Sequence, residues 1–64
     1  MDNEVTNLLR IMGEQFNEAT EDAAKFTSGN NSAGTRVRKA MQNIKNLAQQ
    51  VRVEVQEQKN TVTA

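Results

Sequence analysis

Arg38, Lys45, Arg52 and Lys59 recur seven residues apart, and a seven-residue step along an α-helix returns to nearly the same face, drifting by only about 20°. On a helix they therefore form one cationic row about 32 Å long at 1.5 Å per residue. Arg36 and Lys39 add charge near the start of the same segment, which holds only Glu54 and Glu57 as carboxylates. A repeated row of cations suits a polyanion better than a point ligand. Phosphates on a duplex recur every few ångströms and are neutralised by Lys and Arg with release of counterions.

Other residues offer less chemistry. The chain has no Cys and no His, which removes thiolate and imidazole catalysis, disulfides and the usual zinc ligands. Glu14, Glu18 and Glu21 share one side of the first periodic stretch, where carboxylates ordinarily form a solvated face. Gly29-Asn30-Asn31-Ser32-Ala33-Gly34-Thr35 has the glycine spacing of a phosphate-binding loop, but Thr35 and Arg36 stand where Lys and Ser or Thr should follow, and no strand precedes it. A weaker anion site survives, with helix-start N–H groups, Gly34 and the charges of Arg36, Arg38 and Lys39. Against it, Gly34 also suits close helix packing and the cations also suit plain solvation. A non-enzymatic protein without cofactor or metal is expected.

The aromatics are Phe16 and Phe26, with no Trp or Tyr, so no stacking platform for single strands accompanies the basic row. Nothing resembles a helix-turn-helix head or a finger. Nucleic acid, if bound, is met through its backbone. A Gln42, Gln49 and Gln56 column beside the row adds further donors.

The elements that must position these residues are two helices. Val5, Leu9, Met12, Phe16, Ala19, Ala23 and Phe26 follow spacings of four and three, which reads as a heptad seam. Val37, Ala40, Met41, Ile44, Leu47, Ala48, Val51 and Val55 give the second amphipathic stretch. Between them Thr27-Ser28-Gly29-Asn30-Asn31-Ser32 gathers capping and turn residues. The prediction is an all-α antiparallel hairpin forming one domain over residues 1–64: a helix about 3–28, a turn about 29–31, a helix about 32–59 and a frayed tail 60–64.

At 64 residues the chain is too short for a large private core. Leu8, Ile11, Met41, Ala48 and Val55 are expected to remain exposed on a lone hairpin, and pairing two hairpins into a four-helix bundle would cover them. A homodimer is expected.

The formal net charge of zero hides a split: residues 1–30 carry −4 and residues 31–64 carry +4. Attraction between the two helices explains such a split without an outside partner. No apolar run reaches the roughly 20 residues that span a bilayer, and the acidic Met-Asp-Asn-Glu start is unlike a secretory signal. The expected setting is the cytoplasm, at the nucleoid, or a virion if the chain is phage-encoded, with no membrane partner.

Gly29-Asn30, Ala33-Gly34-Thr35-Arg36, Arg38-Lys39, Ile44, Leu47-Ala48 and Arg52 with Glu54, all within Gly29 to Lys59, resemble the helical region of the bacterial linker-histone-like family, that of the chlamydial histone-like protein and its Bacteroidetes relatives. The resemblance implies a small nucleoid-associated protein that binds DNA without strong sequence preference. It makes Arg36, Arg38, Lys39, Lys45 and Arg52 the phosphate-facing positions, and the cationic row adds Lys59. Members commonly carry a Lys/Ala-rich C-terminal extension, which this sequence does not contain. The rival reading is a helical adaptor that binds another protein and no DNA.

Overall fold

The computed structural model describes residues 3–63, and the side chains of residues 3–60. Two helices, α1 (Glu4–Thr27) and α2 (Asn31–Thr63), fold back on one another as an antiparallel hairpin, with no strand among the described residues. The molecule is a flat rod of 53 × 20 × 11 Å.

Local chemistry sets the ends of the helices. The Asn3 Oδ1 accepts from the Thr6 N–H at 3.0 Å and caps α1. At the other end the Gly29 N–H donates to the Phe26 carbonyl at 2.9 Å and the Asn30 N–H donates to that of Lys25 at 3.0 Å. This paired closure needs a residue at positive φ, and Gly29 supplies it with φ 109°. Asn30 then starts α2, its Oδ1 accepting from the Ala33 N–H at 3.1 Å.

The expected boundaries hold to within a residue or so, except at the end of α2. Residues 60–63, expected to fray, continue the helix through Thr63. No glycine or proline follows Gly34 to interrupt it, and the Gln56 amide donates to Asn60 Oδ1 at 3.2 Å, bridging one turn near that end. Ala64 lies outside the described residues. At 33 residues against 24, α2 overshoots α1 by about 13 Å.

The seam of α1 differs from the expected one in half its members. Val5, Leu8, Met12, Gln15, Ala19 and Asp22 are buried or half-buried, whereas Leu9, Phe16 and Ala23 are exposed. Both sets repeat at three and four residues, so periodicity alone cannot separate them. They share the first heptad position, called a here (Val5, Met12, Ala19, Phe26), and differ in whether the column before it or after it completes the face. The structure uses position d (Leu8, Gln15, Asp22) and turns the more apolar position e (Leu9, Phe16, Ala23) outward. Asp22 is placed at d where Arg36 reaches it, Nε to Oδ1 at 3.0 Å. On α2 the a and d positions are Ala33, Val37, Ala40, Ile44, Leu47, Val51, Glu54 and Gln58, each buried or half-buried.

The core is thin, with Leu8, Ala19, Ala33 and Ile44 as its buried residues among those described. Beside the turn, the Phe26 ring lies against Gly34 so closely that a Cβ at Gly34 would meet the ring at 2.6 Å. Gly13 is different. A Cβ there would meet nothing within 4 Å, and glycine inside a helix costs about 0.5–1 kcal/mol relative to alanine. Gly13→Ala should therefore raise stability by about that amount, measured by urea unfolding; an unchanged or lower midpoint would contradict it.

Candidate nucleic-acid interface

In the heptad frame of α2, Arg38, Lys45, Arg52 and Lys59 all occupy position b, and all four are exposed. Adjacent members are about 10.5 Å apart along the axis. Among the described residues, Arg38, Lys39, Lys45 and Arg52 make no ion pair. Lys39 stands one position beyond Arg38. With Thr35 and Gln42 these two cations line a shallow depression over the first turns of α2, a local concentration of hydrogen-bond donors.

The carboxylates of α1 are elsewhere. Glu14 and Glu21 fall at position c and Glu4 and Glu18 at position g. In an antiparallel pair the g columns of the two helices border one side of the seam and the e columns border the other. The acidic residues therefore lie on the g side, and the b row of α2 lies beyond the e side. Among the described residues, Arg38, Lys39, Lys45 and Arg52 take no carboxylate of α1 as an ion-pair partner. Arg36 pairs across the helices with Asp22, on the side away from the row. Arg10 with Glu14, 3.2 Å apart, lies within α1 and is well exposed on both sides, a kind of pair that contributes little.

The six cations singled out from the sequence are thus not equivalent. Arg38, Lys45, Arg52 and Lys59 share a column, Lys39 flanks it, and Arg36 faces the other way, tied to Asp22. In the neighbouring column Gln42 and Gln49 are exposed, while the Gln56 amide is engaged with Asn60. The loop-like glycine segment becomes helical from Asn31, so it wraps no phosphate.

The residues expected to cover one another in a dimer also divide. Leu8 is 5% exposed, because position d points it at α2 within its own hairpin; it cannot belong to an outer face. Ile11 and Ala48 are half-buried, and Met41 and Val55 are exposed. Sequence reasoning missed Leu9 and Phe16, 52% and 50% exposed, by placing them in the seam. Gln15 and Asp22 were the available signal. Leu9, Phe16 and Ala23 of α1 and Met41, Ala48 and Val55 of α2 are all at position e, and so form one apolar strip along one side of the hairpin.

Among the described residues no three carboxylates come together as a metal site, and no helix is long and apolar enough to cross a membrane. No curated protein and no solved structure matches the chain. The family model for histone H1-like protein Hc1 matches residues 6–61, spanning nearly all of both helices where the sequence resemblance covered chiefly the second. The chain, a helical hairpin with an exposed cationic row on its second helix, belongs to the family of histone H1-like protein Hc1.

Proposed function

We propose that this protein is a histone-like, non-enzymatic DNA-binding protein of the nucleoid that meets the phosphate backbone without reading sequence. Family membership supports the histone-like role. The observation that carries the backbone contact is the b column of α2, whose Arg38, Lys45 and Arg52 are exposed and without ion pairs on the side away from the α1 carboxylates. A row of point cations with no aromatic ring beside it recognises charge and spacing, not base identity.

The hairpin acts as a homodimer closed over the e-position strip. Phe16, Leu9 and Met41 are large apolar side chains left at least 40% exposed, and a contiguous strip of this kind on a small protein marks a contact surface. A second copy offers the same strip, as a two-fold interface requires.

Salt dependence tests the reading. With Arg36 engaged by Asp22, Arg38, Lys39, Lys45 and Arg52 give each row about four phosphate contacts, so the log–log slope of affinity against salt should be about −3.6. Between 50 and 200 mM salt, binding to a labelled duplex should weaken on the order of 150-fold. Absence of binding at 50 mM salt and micromolar protein would sink the DNA role and leave the protein-binding adaptor.

A further inference from the structure

We propose that the dimer carries its two cationic rows on opposite edges and therefore bridges two DNA segments instead of gripping one. This rests on the DNA-binding reading above and adds the arrangement of the partner copy. The apolar strip is bordered on its two sides by the b columns of the two helices. On α2 that border is Arg38, Lys45, Arg52 and Lys59; on α1 it is Thr6, Gly13, Thr20 and Thr27, without a single charge.

Two hairpins can close over this strip with two-fold symmetry in two ways that keep facing helices antiparallel. With the axis along the helices, each α2 lies over the α1 of the second copy. With the axis across them, α2 lies over α2. The second arrangement brings like-charged rows together at the 8–10 Å spacing typical of packed helices, where juxtaposed like charges oppose association. The first places each row beside threonines and a glycine. Charge thus selects α2 over α1.

Side-chain size agrees with that selection. An axis along the helices permits no sliding, so residues meet at the heights already fixed within one hairpin, where Asp22 is level with Arg36 and Phe26 with Gly34. Leu9 then falls near Ala48 of the second copy, and Phe16 near Met41 of the second copy. Each bulky residue faces a small or adaptable one, as close packing requires. The two α2 helices end up diagonal, with Arg38, Lys45 and Arg52 of each copy on opposite edges of the bundle, where each edge can take its own duplex.

Because the chain contains no Cys, introduced thiols report on this arrangement directly. Leu9→Cys and Ala48→Cys variants should each remain non-covalent under mild oxidation, and their mixture should give a disulfide-linked dimer. Covalent dimer from Ala48→Cys alone, with none gained on mixing, would overturn the arrangement. Bridging is read by immobilising one duplex and measuring capture of a second, fluorescent duplex at 50 mM salt. Wild type should capture it, whereas Phe16→Glu, altered at an exposed position, should bind the immobilised duplex and capture nothing. Wild type that binds the first duplex without capturing the second would overturn bridging. Failure to bind even the first duplex would instead strike the DNA-binding role, with the thiol pattern still reporting the dimer.

Discussion

Replacing Arg38, Lys45 and Arg52 together with glutamine should lower duplex affinity on the order of a thousandfold at 50 mM salt and flatten the salt slope by about 2.7, the share of three phosphate contacts. Glutamine is as good a helix former as arginine or lysine, and all three positions are exposed and make no ion pair among the described residues. Helicity by circular dichroism should therefore be unchanged. Arg36→Gln serves as the contrast: it removes a cation of equal formal charge from the g side, where Asp22 holds it, and should leave the slope nearly where it was. If the triple variant binds as wild type does, the α2 row is not the interface. If Arg36→Gln alone flattens the slope by about 0.9, a third of the change in the triple variant, total charge matters and its placement does not.

Ile44→Ala should be the most damaging small change to the fold. Ile44 sits mid-seam on α2, 8% exposed, and deleting such a side chain removes about 2–5 kcal/mol through lost burial and the cavity left behind. A chain of 64 residues has a total stability of roughly 3–10 kcal/mol by the usual per-residue range, so this is a large fraction. For domains of this size each kcal/mol moves Tm by about 4–8 °C, and the melting temperature should fall by at least about 8 °C. Val53→Ala is the matched control, since Val53 is 46% exposed at position c and should shift Tm by little. Comparable shifts for both variants would mean that the seam assigned to α2 is wrong. Protein concentration must be held constant, because the proposed dimer would make Tm depend on it.

The hairpin itself was legible from the residues. Two periodic stretches separated by Ser28, Gly29 and Asn30 predict helix, left-handed closure and cap, and each does what its chemistry suggests. The cationic column was equally plain, because a heptad repeat fixes a face whatever the partner. What the sequence withheld was the rotation of α1 about its own axis. Leu9, Phe16 and Ala23 are more apolar than Leu8, Gln15 and Asp22, and a reading by hydrophobicity must choose the former for the seam. The choice goes with a pairing fourteen residues apart, Asp22 with Arg36. Local patterning carries no information about it. The same pairing sets Arg36 apart from the exposed column of Arg38, Lys45, Arg52 and Lys59.

The tight seat of the Phe26 ring on Gly34 reaches beyond the turn it adjoins. Antiparallel helices with repeating faces are prone to slip by a whole heptad, since the apolar pattern looks alike after each step. Here a slip would carry the ring from Gly34 to a residue bearing a Cβ, while the three-residue link 28–30 has no slack to follow it. The ring and the bare backbone act as key and keyhole, admitting one axial setting. The spacing of charge along the rod is thereby indexed from the hairpin's closed end, like graduations on a rule measured from its stop.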